Sequence, residues 1–193
     1  MKNLPTPTPQ EIEKYLIKWN NLESYVLQEN SLDKLFFYTY PNNTDINDVL
    51  IKCSSLNDFY STNIFSIFSV AKHILALNID EKLKNGECSI VNEIAKVKIN
   101  DKEKNFYSFA TKYCSHHYPK EFPIYDSFVE KVLLHFKKVD NFMNFSKQDL
   151  KEYKKFKEVL LAFKKYYNLN DYNLKDIDRY LWQLGKEYFP KKY

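Results

Sequence analysis

The sequence predicts an all-α protein, and three observations carry that reading. Apolar residues recur at helical spacing in segment after segment, and no segment shows convincing strand alternation. Polar helix-start residues stand just before several of these runs. Only two glycines, Gly86 and Gly185, occur in 193 residues, far below the usual share of about 7%. Tight turns that need positive φ are therefore expected to be few, and hairpin-rich sheets and glycine loops that cradle phosphate are disfavoured. The length suits a single domain, 1–193, or two small helical lobes sharing one core.

Taken in order, Pro5 to Pro9 is a stiff lead-in, and Pro9 or Gln10 opens the first helix, since proline is tolerated there. Ile12, Tyr15, Leu16 and Trp19 fall on one helical face. Leu22 to Gln28 continues or restarts it. Ser31 is read as the start of the next helix, carrying Leu35, Phe36 and Tyr38, with Pro41 to Asn43 ending it. Asp45 is the expected N-cap of a helix through Val49, Leu50 and Cys53. Asn63 to Leu77 is the most apolar run and is expected to form a central helix buried nearly all round. His73 on it reads as a hydrogen-bonded core residue. Ile79 to Gly86 is a link or a single helical turn, and Ser89 to Val97 a helix with Ile90, Val91 and Ile94 inward. Lys98 to Lys104 reads as a charged connector. Lys104 to Leu133 reads as a helix, a proline-bounded turn and a second helix, a hairpin-like pair over 104–137. Ser146 and Asp149 form a near capping box, followed by a long helix through Tyr153, Phe156, Leu160, Phe163 and Tyr167. Asn173 or Asp171 caps a last helix, on which Leu181 and Leu184 face the core and Trp182 points elsewhere, to dock the helix or to brace a cleft. The sum is nine or ten helices.

Composition narrows the function classes. Cys53, Cys88 and Cys114 are odd in number and widely spaced, which argues against a disulfide framework, a zinc site or an iron–sulfur site. His116 and His117 beside Cys114 are too few and too close together for a standard metal site, so neither metal nor cofactor is expected. With no apolar run near the roughly 20 residues of a membrane span, a soluble cytoplasmic protein is expected. Net charge is +4, unevenly placed: residues 131–193 hold 15 basic and 8 acidic side chains. A lysine ridge over 147–165, interleaved with aromatics, suits a polyanion or a solvated face.

The stretch around which the chain is organised is Ser108 to Leu133. Ser108, Ala110, Phe122-Pro123-Ile124-Tyr125-Asp126, Val129 and Val132-Leu133 resemble a segment of the helix-hairpin-helix DNA glycosylases, the superfamily that excises damaged or mismatched bases. The match is ungapped over about 26 residues, and it also resembles a bacterial branch with an 8-oxoguanine-glycosylase-like fold. The resemblance implies a two-lobed all-α bundle, DNA as partner, and Asp126 as the acid at a helix mouth that steadies charge on the sugar as the base leaves. Bifunctional members carry a lysine nucleophile where Ser108 stands, so the serine resembles the monofunctional, adenine-excising branch. Lys104, one turn earlier, and Lys112, one turn later, are the remaining candidate amines. His116, His117, Tyr118 and Lys120, at the end of the helix and in the turn, are the candidate DNA contacts. The glycine turn of the family's hairpin is missing from Ile99 to Asn105, and no second catalytic acid is assigned. The reading kept beside the enzyme is an inert helical module that binds nucleic acid, a nucleotide or a protein.

Overall fold

Thr8 ends the lead-in. Its hydroxyl accepts the Glu11 backbone N–H, and Pro9 occupies the first helical position, where its missing N–H costs nothing. The computed structural model describes residues 4–190. Over them the chain forms ten α-helices and one small two-stranded ribbon. In chain order these are α1 (Pro9–Asn20), α2 (Glu23–Asp33), α3 (Ile46–Phe59), α4 (Ile67–Ala76), α5 (Asp80–Lys84), α6 (Ser89–Ala95), β1 (Lys96–Ile99), β2 (Lys102–Asn105), α7 (Tyr107–His117), α8 (Ser127–Asp140), α9 (Tyr153–Tyr166) and α10 (Leu174–Tyr188). Two short pieces complete them: a π-helical turn, Lys34–Thr39, and a 3₁₀ turn, Asp149–Lys151. No helix among the described residues is long and apolar enough to cross a membrane.

The chain divides into two compact units. The middle unit runs from Ser24 to Ile124, and the terminal unit joins the residues up to Glu23 to those from Tyr125 on. The hairpin-like pair read over 104–137 is therefore split, α7 to the middle unit and α8 to the terminal one.

In the terminal unit, α10 packs against both α1 and α8. Asn173 caps α10 through the Lys175 and Asp176 N–H groups, and Asp176 returns a bond to the Asn173 N–H, a complete capping box. Trp182 docks edge-on against Trp19 of α1, ring centres 6.0 Å apart. Gly185 marks the closest approach of α10 to α8. A Cβ placed there would lie 2.7 Å from the Phe128 Cβ and 2.8 Å from the Phe128 carbonyl oxygen. Ser146 and Asp149 do cap each other, but their box opens the 3₁₀ turn, and the long helix α9 is capped instead by Glu152.

In the middle unit the buried helix is α7, not α4. Every residue of α7 except Ser108 is buried, and α3, α6 and the π-helical turn pack around it. On α4 only Val70, Ala71 and Ile74 are buried. Phe68 points outward, and Phe65, just before the helix, is 99% exposed. His73 is half-buried and hydrogen-bonded to the Glu93 backbone carbonyl, 2.8 Å. Ser31 starts no helix. It lies inside α2, its hydroxyl donating to the Leu27 carbonyl, and α2 runs on into the π-helical turn, closed by the Tyr40 N–H on the Leu35 carbonyl.

The segment 96–105 is a hairpin rather than a connector. β1 and β2 pair antiparallel, Lys96 opposite Asn105 and Ile99 opposite Lys102. Asn100 and Asp101 take φ of 48° and 58°, the left-handed pair that a two-residue hairpin turn requires. Asparagine serves the role reserved for glycine elsewhere too: Asn63, Asn78, Asn141 and Asn168 all have positive φ. Its short polar side chain tolerates the left-handed region. The scarcity of glycine therefore does not make such turns scarce.

Candidate functional site

Local helix chemistry and burial place each candidate side chain. Asp126 sits in extended backbone at the mouth of α8, half-buried, its carboxylate accepting the Phe128 N–H at 2.8 Å. The helix start presents N–H groups and a positive dipole end to that anion. One turn on, Glu130 is buried in a cage: it accepts a short hydrogen bond from the Tyr125 hydroxyl and pairs with Lys147 at 3.0 Å and Lys151 at 3.4 Å. The Lys151 ammonium also bonds the Tyr125 hydroxyl and lies over its ring. Burial works to raise the Glu130 pKa, but the Tyr125 hydroxyl and the two lysines together outweigh it and hold the carboxyl below its ordinary value. Glu130 is thus a fixed anion, and it engages two of the lysines read as a free ridge. It escaped the sequence reading, although the spacing of four from Asp126 places both acids on one face of a helix.

Ser108, Lys112 and His116 recur every fourth residue along α7. The Lys112 ammonium donates to the Ser108 hydroxyl oxygen, 2.6 Å, and lies 5.2 Å from the centre of the Tyr60 ring. The Tyr60 hydroxyl bonds His116 Nε2 at 2.9 Å, and Asp33 lies 3.7 Å from His116 Nδ1. Lys104 is not one helical turn before Ser108: it is an exposed residue of β2, opposite Val97, because α7 begins only at Tyr107.

His117 belongs to a second, sealed network. Asn43, 2% exposed, is its hub. The Asn43 amide oxygen accepts from Lys52 at 2.7 Å and from the Tyr113 hydroxyl at 2.6 Å. Its amide nitrogen therefore points at Asp80, 2.5 Å, and at His117 Nε2, 3.2 Å. An amide nitrogen only donates, so Nε2 must accept, and the imidazole is neutral with its proton on Nδ1. Burial, with Lys52 and His116 adding to it, pushes the His117 pKa well below its ordinary value. Lys52 is fully buried, and its three donors meet three oxygens: Asn43 Oδ1 and the carbonyls of Tyr40 and Asn42. Burial lowers its pKa to about 8, against the pull of Asp80.

These placements correct the expected DNA contacts. His116 and His117 are buried in the middle unit and present no cationic surface; only Tyr118 and Lys120 of that group are exposed. Cys53 and Cys114 are buried thiols whose pKa burial pushes up. No group of three or more His, Cys, Asp or Glu side chains placed to hold a metal occurs among the described residues.

Fold and side chains together define a mostly helical protein whose middle unit is built on a buried helix with a sealed polar network. The chain belongs to the HI_0787_N family: the model of that family, described as an N-terminal domain, matches residues 11–121. The matched span includes both α7 networks and stops short of Asp126. A Haemophilus influenzae protein described as an uncharacterized protein is 56% identical over 151 residues, 78% of this chain and 72% of that protein. Neither description names an activity, a ligand or a partner. No solved structure matches.

Proposed function

We propose that the protein acts on DNA as an N-glycosylase-like enzyme, with Asp126 as the residue that stabilises charge. One observation carries this reading: a half-buried aspartate in extended backbone at the mouth of a 14-residue helix, within the run Phe122 to Val129 that resembles the glycosylases. As the base departs with the bonding electron pair, positive charge grows on the sugar ring. A fixed anion beside it favours that state by several kcal/mol in a site that excludes water. The base must first leave the stack, at a cost of a few kcal/mol. The reaction is hydrolytic, with no Schiff base: Lys112 already donates to Ser108, and Lys104 stands on a strand.

Duplexes carrying 8-oxoguanine, uracil, alkylated bases or mismatches, treated with the protein and then alkali, test this directly. Strand scission that Asp126→Asn removes supports it, and a borohydride adduct lost in Lys112→Ala would replace hydrolysis with covalent chemistry. A second reading, the inert binding module, is favoured by the engagement of Lys112, His116 and His117 with other side chains. Binding without base release, indifferent to Asp126→Asn, is its signature.

A further inference from the structure

The loop before α4 displays a bare aromatic side chain on a rigid base. Asn57 closes that loop: its amide oxygen accepts from the Ile64 N–H at 2.9 Å and the Thr62 hydroxyl at 2.7 Å, and its amide nitrogen donates to the Ile64 carbonyl. Ser61 and Asn63 hold φ of 47° and 56°, and Ile64 is anchored in the core. The next residue, Phe65, is left 99% exposed. Phe68, one turn on, is 58% exposed, and the Lys72 ammonium lies 5.7 Å from its ring centre. A flexible loop would fold Phe65 down onto apolar neighbours; this one is held by three side-chain bonds and one buried anchor.

Charge says what meets those rings. No acidic residue occurs between Asp58 and Asp80, so the α4 face carries only Lys72 and the half-buried His73. Strand β1 packs against α4, and β2 pairs with β1. The ribbon carries four exposed lysines, Lys96, Lys98, Lys102 and Lys104, against Asp101 and Glu103, and Asp101 pairs with Lys98. Exposed aromatic faces, one with Lys72 at its ring, on a unit whose ribbon carries more exposed lysines than acids match a ligand that is planar and apolar in one part and anionic in the next. A protein partner would need a larger apolar surface than two rings.

We infer that this face of the middle unit binds an unpaired stretch of nucleic acid, with Phe65 and Phe68 stacking on bases and Lys72 and the ribbon lysines contacting phosphates. The inference takes its ligand class from the DNA reading above but does not depend on Asp126 or on base release.

Fluorescence anisotropy of the full chain with a labelled single strand, a perfect duplex and a duplex containing an unpaired loop tests it. Binding to the single strand and the looped duplex should exceed binding to the perfect duplex. Phe65→Ala with Phe68→Ala should weaken it about 10-fold or more, at the magnitude of base–aromatic stacking. Replacing Lys96, Lys98, Lys102 and Lys104 by Ala should flatten the dependence of affinity on salt. Both aromatic side chains are exposed, so circular dichroism and melting should match the parent protein. Asp126→Asn should bind normally, so binding by the parent protein without base release from any duplex would remove the enzyme reading and leave this one standing. No binding at low salt, or affinity unchanged by the two phenylalanine substitutions, overturns the inference.

Discussion

Replacing Asn43 by leucine tests the sealed network of the middle unit. Leucine has the same number and branching of side-chain heavy atoms as asparagine and is somewhat bulkier, so no cavity is created, and the loss is chiefly polar. Lys52 keeps the Tyr40 and Asn42 carbonyls but loses its third acceptor; the Tyr113 hydroxyl loses its acceptor; His117 Nε2 loses its donor. Each buried group left unmatched costs about 1–3 kcal/mol. The three share one hub, so they do not simply add, and about 3–5 kcal/mol is expected in total. That is a large part of the 5–15 kcal/mol that typically holds a domain together. Urea unfolding followed by circular dichroism should show a lower midpoint with an unchanged slope. The same experiment against pH isolates Lys52. Its folded pKa is about 8 and its ordinary value 10.5. Between those values the unfolded chain holds more protons, so stability rises with pH through that window by up to about 3 kcal/mol from this group alone. Tyrosines whose pKa is raised by burial act in the opposite sense above pH 10, so the rise is read from pH 8 to 10. Lys52→Met should abolish it. A loss under about 1 kcal/mol in Asn43→Leu would show that water reaches the network and that the hub is not dry.

The remaining predictions concern single side chains. Nitrogen-edited NMR should find His117 neutral, with its proton on Nδ1, at pH values where an ordinary histidine, titrating near 6.5, is already charged; a midpoint at or above that ordinary value contradicts the bond drawn from Asn43. Because the unfolded histidine takes up a proton that the buried one refuses, His117 also lowers stability as pH falls below 6.5. Gly185→Ala gains about 1 kcal/mol of helix propensity, yet its Cβ meets the Phe128 backbone at 2.8 Å, which cannot yield as a flexible side chain would. The clash should win, with a net loss of about 1–3 kcal/mol in thermal or urea unfolding; a stabilised variant would show that α8 and α10 separate easily.

Much of the helical plan was readable because its signals are local. The stripe of Ile12, Tyr15 and Trp19, the Asp45 cap and the Asn173 box each need only neighbours within a turn or two. The failures share a cause as well. α7 reads as half polar, and only Asn43, 70 positions away from Tyr113, explains how polar side chains survive in a core. α4 reads as buried all round, because a hydrophobic run says nothing about which rings a rigid loop will hold outside. The ribbon was missed because glycine was taken as the mark of a tight turn, and here Asn100 and Asp101 supply it. Of the site, Asp126 as a helix-mouth acid and the Ser108–Lys112 spacing were legible. Glu130 and its cage were not, since a lysine 21 residues further on is what fixes that carboxylate.

The most direct test of the proposed activity is the single-turnover rate of base release by the full chain from a lesion-bearing duplex, compared with that of Asp126→Asn. Release that falls about 100-fold or more in the variant, with folding and DNA binding intact, is the predicted result. Equal rates in the two proteins, or no release from any duplex by either, would contradict it.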